Sequence, residues 1–383
     1  TRYPLVTGVQ TCALPIFEQS IMGAMNISLR DIAKKAGVSV GTASNVLNRP
    51  GIVAPETAKR VHQVIEEMGY NPNGYVKQMS AGHSRTLGLV VPNVSNPFFA
   101  EVARGVEDAA FKKNYAVFIC NSGESNQREE RFMSVLIEQM VKGVLITPTS
   151  LKPGHIKLLK ERGISVVLID ATGKMSTECS VTVNDVRGGE IAIEHLADLH
   201  HTTIAWVCGP ETIPQAADRS KGVAAAAKSR KVKISTIRVP SMTFASGEEA
   251  VKEFLALDPR PTAIFCANDV LALGVMRGLM AEGIRIPDEV SLIGYDDIEF
   301  APSAAVPLTS IAQPAYQLGQ VATQLLLSEC EGIETHAHQA VNFQPELVVR
   351  QSTRDVTSAR AEAVVRREYA HLATSYFGSS DPA

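Results

Sequence analysis

The chain has 383 residues, of which 45% are hydrophobic, a formal net charge of −3 and six cysteines. This length is sufficient for two or three packed domains, and no apolar run approaches the roughly 18 residues of a membrane span. The cysteines form no CxxC pair and show no ligand-like spacing. They therefore indicate reduced, cytoplasmic usage and predict no metal site.

The first 24 residues differ in pattern from the rest of the chain. The run TRYPLVTGVQTCALPIF resembles a secretory apolar segment only loosely, because Pro4, Gly8 and Pro15 interrupt it. The stretch VTGVQTCALPI resembles the translation of a sequencing-adaptor oligonucleotide. We therefore expect residues 1–24 to be a non-native leader without packing contacts.

The stretch Leu29–Asn48, LRDIAKKAGVSVGTASNVLN, predicts two short helices joined by a glycine turn. Ser28 and Asp31 have the spacing of a capping box at the start of the first helix. Gly37 can adopt the left-handed conformation that ends this helix, and Ser39 can cap the next one. The first helix carries apolar residues at i, i+3, i+4 and i+7, which predict one buried stripe: Leu29, Ile32, Ala33 and Ala36.

The second helix combines a thin apolar stripe with a face of small polar groups. We expect Ala43, Val46 and Leu47 to face inward. The opposite face carries a glycine and small hydroxyl and amide groups: Gly41, Ser44, Asn45 and Asn48. Such a face suits a helix that lies in the major groove of DNA. An ordinary helical hairpin with a solvated polar face is the alternative.

A third helix and a polar connector follow this pair. Pro55 opens the helix at a first-turn position, and Gly69 ends it. We expect its buried face to consist of apolar residues at helical spacing: Ala58, Val61, Ile65 and Met68. Residues 71–85 are rich in Gly, Ser and Asn, which is typical of a linker.

The charge of the chain is unevenly distributed. Residues 25–84 contain seven Lys or Arg against four Asp or Glu, a net charge of +3. Residues 1–24 are neutral, so the remainder carries −6. A small basic head on a larger acidic body favours an anionic partner for the head alone.

From Thr86 onward, apolar strands alternate with amphipathic helices. Eight segments predict buried parallel strands: TLGLVVP, YAVFIC, GVLITP, ISVVLID, TIAWVCG, VKISTIRV, TAIFCAN and VSLIGY. Between them lie helical stretches such as FFAEVARGVEDAAFKK and NDVLALGVMRGLMAEG. This alternation over about 220 residues predicts two doubly wound α/β subdomains, whose ligands bind beyond the carboxyl ends of the strands.

Across residues 26–353 the chain resembles a LacI/GalR-type (lactose-repressor family) transcriptional regulator. The resemblance rests on SLRDIAKKAGVSVGTASNVLN, VAPETAKRVHQVIEEMGYNPN, TLGLVVPNVSNPFFAEVARGVEDAA, DRSKG, AIFCANDVLALGVMRGLMAEGIRIPDEVSLIGYDD and PLTSIAQP. It implies a multidomain protein with an all-α helix-turn-helix head and an α/β two-lobed periplasmic-binding-protein-like core. The expected boundaries are a DNA-binding head at 25–70, a hinge at 71–85, a core at 86–353 and a tail at 354–383.

The resemblance further implies a homodimer that binds a pseudo-palindromic operator in double-stranded DNA. The base-reading positions of the family correspond to Val40, Gly41 and Asn45. Asn45 can bind adenine through its amide pair, whereas Val40 can contact only a thymine methyl group and Gly41 has no side chain to offer. We expect phosphate contacts from four hydroxyl side chains: Ser28, Ser39, Thr42 and Ser44. Met79 takes the place of the leucine that members of this family insert into the minor groove.

The resemblance also implies a small-molecule effector between the two lobes. Seven residues, six of them at or after strand ends and Arg219 in DRSKG, correspond to effector-binding positions: Phe98, Phe99, Thr149, Asp170, Arg219, Asn268 and Asp296. A single amide or carboxylate after a strand is typical of a helix cap. Converging on one cleft, however, such groups could bind vicinal hydroxyls, which favours a sugar or sugar derivative. Either Met242 or Phe244 corresponds to the position of a further stacking side chain.

Two other function classes fit the sequence less well. A solute-binding protein of a transporter shares the two-lobed core but needs a secretory signal and no helix-turn-helix. An enzyme needs catalytic residues, and the sequence has no P-loop, no nucleophile elbow and no metal-ligand cluster; its histidines are scattered. We therefore expect a transcriptional repressor with no catalytic residue, no cofactor and no membrane partner. Effector binding would change the lobe arrangement and thereby the operator affinity, as either an inducer or a co-repressor.

Overall fold

The computed structural model describes residues 27–70, 84–149, 153–171, 178–332 and 336–357. The chain divides into two compact units, one within residues 1–82 and the other within residues 83–383. The expectations for the leader, for most of the hinge and for most of the tail concern residues outside those described. Among the described residues, no helix is long and apolar enough to span a membrane.

Within residues 27–70 the head forms three α-helices, with a 3₁₀ turn at Pro50–Ile52: α1 (Leu29–Ala36), α2 (Val40–Asn48) and α3 (Pro55–Met68). The predicted capping box is present, since the Ser28 amide donates to Asp31 Oδ2 at 2.9 Å and the Asp31 amide donates to Ser28 Oγ at 3.3 Å. Gly37 ends α1 with a left-handed φ of 66°. The Thr42 amide donates to Ser39 Oγ at 3.0 Å and so caps α2. These local predictions are confirmed.

A small apolar cluster holds the three helices of the head together. Its buried members are Ile32, Ala33, Ala36, Ala43, Val46, Val61 and Val64. The predicted face of α3 is wrong in one respect, because Val61 and Val64 are its buried residues, whereas Ala58, Ile65 and Met68 are only partly buried. The buried stripe of α3 is centred on Val61 and Val64, and α3 packs against α1 in the core of the head.

The first lobe of the core is a six-stranded, fully parallel sheet in the order β11-β5-β4-β3-β1-β2. Its elements are β1 (Thr86–Val91), α4 (Pro97–Phe111), β2 (Ala116–Asn121), α5 (Asn126–Glu138), β3 (Gly143–Ile146), α6 (Pro153–Glu161), β4 (Ser165–Ile169), β5 (Cys179–Val183), α11 (Ala315–Glu331) and β11 (Ala340–Phe343).

The second lobe has a six-stranded sheet in the order β12-β10-β9-β8-β6-β7, in which only β12 runs antiparallel. Its elements are α7 (Asp185–Asp198), β6 (Thr203–Cys208), α8 (Pro214–Arg230), β7 (Lys233–Arg238), α9 (Phe244–Ala256), β8 (Ala263–Cys266), α10 (Asp269–Ala281), β9 (Ser291–Asp296), a 3₁₀ turn at Ala301–Ser303, β10 (Thr309–Ala312) and β12 (Glu346–Val348).

The chain passes between the lobes three times: after β5, after β10 and after β11. Within each lobe the first five strands have the doubly wound order 2-1-3-4-5. In this topology the strand order reverses beside the first strand, and a ligand crevice opens at the carboxyl ends of the strands. The prediction of two doubly wound subdomains is confirmed, and all eight predicted segments contain strands.

Two of those strands differ from the prediction, because most residues of β2 and β7 are exposed or half-buried. Each lies at the edge of its sheet, so that one side of the strand has no neighbouring strand. In β2 the side chains of Phe118 and Ile119 are 45% and 44% exposed. Their apolar composition resembles that of the central strands, and pattern alone cannot separate the two positions.

Close approach of three helix pairs depends on reciprocal glycines. A Cβ on any of these glycines would overlap a backbone carbonyl oxygen of the partner helix. The pairs are Gly105 with Gly319 between α4 and α11, Gly189 with Gly222 between α7 and α8, and Gly247 with Gly274 between α9 and α10. At each contact the helix backbones themselves touch, which leaves no space for a side chain.

We expect the Gly222→Ala substitution to destabilise the second lobe by about 1–3 kcal/mol, because its methyl group meets the Val186 carbonyl and forces α7 and α8 apart. The single tryptophan, Trp206, is buried in this lobe, so fluorescence-monitored denaturation reports its unfolding. Ser229→Ala, on the exposed face of the same helix, is the control and should change stability by less than about 0.5 kcal/mol. Equal stability of the two variants would contradict the packing argument.

Candidate functional site

A cleft with about 610 Å³ of empty space, including the part that is open to solvent, lies at the carboxyl ends of the strands of both lobes. All seven effector positions predicted from the sequence line it: Phe98, Phe99, Thr149, Asp170, Arg219, Asn268 and Asp296. The first four belong to the first lobe and the last three to the second. The structure thus brings together residues that are up to 198 positions apart, from 98 to 296.

Arg219, on α8, is buried and held from three sides. Its Nε donates to Asp185 Oδ1 at 2.7 Å, and its Nη1 donates to the carbonyl oxygen of Ala267 at 2.6 Å. Its guanidinium lies 3.7 Å from the centre of the Tyr295 ring. Its Nη2 lies 3.9 Å from Asp296 Oδ1, which is too long for a hydrogen bond. The guanidinium is therefore fixed by the protein with Nη2 directed toward a cleft carboxylate.

A buried polar and aromatic layer supports this arginine from below. The Tyr295 hydroxyl donates to the same Asp185 oxygen at 2.9 Å. Trp206 stacks on Phe265 with ring centroids 4.5 Å apart, and Phe265 lies 6.5 Å from Tyr295. Asp185 is the first residue of α7, where the helix dipole favours a negative charge. The layer therefore fixes Arg219 through packing between α7, α8 and the sheet.

Asp170 follows β4 and Asp296 ends β9, and both have backbone conformations that are uncommon for residues other than glycine. Asp170 has a φ of 51° and Asp296 a φ of 105°. Gln215 donates to the Asp170 carbonyl oxygen across the cleft, and Gln313 Nε2 donates to Asp296 Oδ1 at 2.7 Å. Backbone strain of this kind persists where the surroundings hold it, and it concentrates at functional sites.

The electrostatic setting of these two carboxyl groups is unusual. Burial, reinforced by the charge of Asp185, raises the pKa of Asp170 to about 8. Burial also raises the pKa of Asp296 to about 6, although Arg219 acts in the opposite direction. Strongly shifted carboxyl groups that meet in a cleft are typical of functional sites.

The apolar wall of the cleft comes mainly from Phe98 and Phe99, whose rings meet edge-on with centroids 5.1 Å apart. Phe98 is only 4% exposed and also belongs to the core of the first lobe, whereas Phe99 is partly buried. Of the two alternatives left open for a further stacking side chain, Met242 lines the cleft, and Phe244 is 43% exposed at the start of α9.

Two of the predicted polar residues also have structural partners. The Asn268 side chain caps α10, accepting from the Leu271 amide at 2.8 Å. The Thr149 hydroxyl lies 3.3 Å from Ser122 Oγ, and its amide donates to Glu129 Oε2 at 2.7 Å. Both residues line the cleft while they also stabilise the local fold.

Sequence reasoning missed three important residues of the site. Asp185 and Tyr295 were not predicted, because they act through contacts with Arg219, which lies on a different element of the fold. Thr147 lines the cleft with a buried hydroxyl that has no hydrogen-bond partner among the described residues. Each follows or ends a strand, and the sequence signal that could have found Asp185 was the unrecognised strand β5 before it.

In the head, six of the predicted DNA-contacting residues lie at the start of α2 or along it, and Ser28 caps α1. Ser28, Ser39, Val40 and Gly41 are exposed, and Thr42, Ser44 and Asn45 are partly buried. Val40 is unusual in being an apolar side chain that is 45% exposed in a first helical turn. Met79 lies outside the described residues.

Comparisons with known proteins identify both units. Residues 28–73 match the lacI family of bacterial regulatory proteins, and residues 193–353 match a periplasmic binding protein-like domain. The chain is 32% identical over 330 residues to the HTH-type transcriptional repressor PurR of Aliivibrio fischeri (strain MJ11), which covers 85% of this chain and 98% of that protein.

Solved structures agree with this assignment. The transcriptional regulator CelR in complex with cellobiose is 29% identical with a TM-score of 0.63, covering 85% of this chain and 99% of that one. The lac repressor dimer bound to operator and the anti-inducer ONPF is 25% identical with a TM-score of 0.74, covering 86% and 99%. With its helix-turn-helix head and its periplasmic-binding-protein-like core, the chain belongs to the lacI family of bacterial regulatory proteins.

Proposed function

We propose that this chain binds a pseudo-palindromic operator as a homodimer and represses transcription, with its operator affinity controlled by a sugar or sugar derivative in the cleft. The observation that carries the proposal is the meeting of Asp170, Arg219 and Asp296 from both lobes in one cleft. Two carboxyl groups and a fixed guanidinium offer acceptors and donors to adjacent hydroxyl groups.

The chemistry of the cleft fits a sugar in a second way. The Phe98 and Phe99 rings offer an apolar wall to the C–H faces of a sugar, while the polar groups lie elsewhere around it. The unpartnered hydroxyl of Thr147 would gain a partner from a ligand hydroxyl. The relative CelR is known in a complex with cellobiose, which supports the same ligand class here.

The head supports the operator half of the proposal. Helix α2 has its first turn exposed, and the N-terminal residues of a recognition helix are those that contact base edges. Asn45 provides the amide pair that reads adenine, and Ser28, Ser39, Thr42 and Ser44 provide hydroxyls for phosphate contacts. The lac repressor relative is a dimer bound to operator, which supports a homodimer here. Met79 stays a proposed minor-groove contact on sequence grounds.

Control of the operator by the effector follows from the lobe architecture. The cleft is lined by both lobes, and three chain crossings connect them. A ligand that contacts both lobes favours the lobe arrangement to which it binds better, and it shifts the population accordingly. Whether the ligand raises or lowers operator affinity depends on which arrangement binds DNA.

The experiment that tests the function uses the full chain. Duplexes selected from random DNA define the operator, and its affinity is measured over a salt series and then with a panel of sugars and sugar derivatives. We expect affinity to fall steeply with salt, as phosphate neutralisation requires, and to change with at least one sugar. The proposal is contradicted if the chain binds no duplex selectively. It is also contradicted if operator affinity stays the same with every sugar that occupies the cleft.

We expect Asn45→Ala to weaken binding to the selected operator by about 1–3 kcal/mol, because one bidentate base contact is lost. Binding to unrelated DNA and the salt dependence should stay unchanged, since the amide carries no charge. Gln63→Ala, an exposed amide on α3, is the matched control. Gel-shift titrations measure all three proteins, and equal operator affinity of Asn45→Ala and the control would remove Asn45 from base recognition.

We expect Asp296→Asn to weaken binding of the sugar found in the panel by about 1.5–3 kcal/mol, the range for a hydrogen bond to a charged group. Operator affinity without sugar should be retained. Asp297→Asn changes the adjacent carboxylate, which pairs with Arg350 at 2.6 Å, and it should leave sugar affinity nearly unchanged. Calorimetric titration compares the variants; a larger loss in Asp297→Asn would place the sugar elsewhere.

The raised pKa of Asp170 predicts how stability depends on pH. Because the pKa is about 8 in the folded protein and near 3.8 in an unfolded chain, the folded state binds the extra proton between these values. Stability of the unliganded core should therefore fall as the pH rises from about 4 to about 8. Asp170→Asn should flatten this slope, whereas Glu253→Gln, an exposed carboxylate on α9, should not. Trp206 fluorescence during urea denaturation measures the slope, and identical slopes in both variants would contradict the assignment.

A further inference from the structure

Four side chains with metal-binding atoms meet at the amino-terminal edge of the first-lobe sheet, the edge opposite the cleft. They are Cys179, Glu329, His336 and His338, and one potential ligand atom from each lies within 4.8 Å of the others. Cys179 opens β5, and the two histidines precede β11, which pairs with β5. Glu329 lies in the last turn of α11. Two adjacent strands and one helix thus converge on this cluster.

The distances within the cluster suit tetrahedral coordination. Cys179 Sγ lies 3.1 Å from His336 Nε2 and 3.8 Å from His338 Nδ1, and His338 Nδ1 lies 4.0 Å from Glu329 Oε2. Around zinc, with bonds of about 2.3 Å to sulfur and about 2.0–2.1 Å to nitrogen and oxygen, neighbouring ligand atoms lie roughly 3.3–3.6 Å apart. Small side-chain rotations would bring the four atoms to these separations.

Glu329 gives an independent indication of a cation-binding site. The residue is only 9% exposed, and its Oε2 has no hydrogen-bond partner among the described residues. An unsatisfied buried carboxylate oxygen is unfavourable unless a cation or a donor neutralises it. Glu329 Oε2 lies 4.0 Å from His338 Nδ1, within the cluster.

The surroundings orient two of the ligands. His336 Nδ1 lies 3.3 Å from Ser328 Oγ, which leaves Nε2 for the cluster, as second-shell partners of metal-bound histidines do. The Gln339 amide donates to Cys179 Sγ at 3.3 Å and so fixes the position of the sulfur atom. A cavity lined by Glu329, His336 and His338 adjoins the cluster and provides an entry path.

We propose that these four residues form a zinc site. Thiolate and imidazole ligands select Zn²⁺ over the oxygen-preferring Mg²⁺ and Ca²⁺, and four protein ligands are typical of a structural site. The ion would join the end of α11 to the starts of β5 and β11, strands that each lead to a crossing between the lobes. The sequence could not predict this site, since Cys179 and Glu329 lie 150 positions apart, from 179 to 329.

The test uses the full, untagged chain, stripped with a chelator and desalted. Equilibrium dialysis against Zn²⁺ should load one ion per chain, measured by elemental analysis. Titration with Co²⁺ should produce the absorption of a tetrahedral cobalt–thiolate complex. His338→Ala removes the most exposed of the four ligands and is expected to fold; it should weaken Zn²⁺ binding more than tenfold. Cys179→Ser should abolish the thiolate-to-cobalt band.

Two controls remove residues of the same types away from the cluster. His62→Ala changes an exposed histidine of α3, and Cys120→Ser changes the partly buried cysteine of β2. Both should keep the wild-type stoichiometry, affinity and cobalt spectrum. No saturable Zn²⁺ binding in the wild-type chain, or His338→Ala and Cys179→Ser proteins that match the controls, would overturn the proposal. The readout is metal content and absorption, so it is independent of DNA or sugar binding.

Discussion

The buried contact between Arg219 and Asp185 is the interaction on which the core site depends. Its 2.7 Å hydrogen bond joins the first turn of α7 to the second turn of α8. Helix α7 is the element with which the chain enters the second lobe. Removing one partner of such a pair would leave an uncompensated buried charge, which is strongly destabilising. The reciprocal glycines Gly189 and Gly222 bring the two helices close enough for the pair to form. Backbone packing and cleft chemistry are therefore linked through one helix pair.

The same contact sets the electrostatics of the cleft. Asp170, Asp185 and Asp296 place three carboxyl groups near a single guanidinium, and burial together with the charges of the neighbouring carboxylates raises the pKa of Asp170 and of Asp296. This arrangement opposes folding, because the backbone of Asp296 is strained and the pKa of the buried Asp170 carboxyl group is raised. Groups retained against stability in this way are typical of binding sites, where a ligand supplies the missing partners. The head is different: the capping box at Ser28, the Ser39 cap and the small apolar core follow from local sequence rules.

Local rules explain why so much of the fold could be predicted. The capping box at Ser28, the left-handed Gly37 and the doubly wound order each follow from residue type and spacing. The prediction failed where the structure of a segment depends on the elements that pack around it. The strand β5, which none of the predicted segments covers, has alternating Ser and Thr and a half-buried pattern. Similarly, β2 looks like a central strand until its place at the sheet edge is known.

The candidate site shows the same division. Residues that follow strands could be assigned to the cleft because parallel strands bring their carboxyl ends together. Asp185 and Tyr295 could not, since their contacts with Arg219 arise from helix–helix and helix–sheet packing. The cluster around Cys179 joins positions far apart in the chain and has no local pattern.

The central claim is that cleft and operator are energetically linked, and linkage must be reciprocal. The most direct measurement compares two ratios on the full chain: the operator affinity with and without saturating sugar, and the sugar affinity with and without saturating operator. We predict that the two ratios are equal and differ from one. A sugar that binds the cleft with the same affinity in the presence and absence of operator would contradict the account.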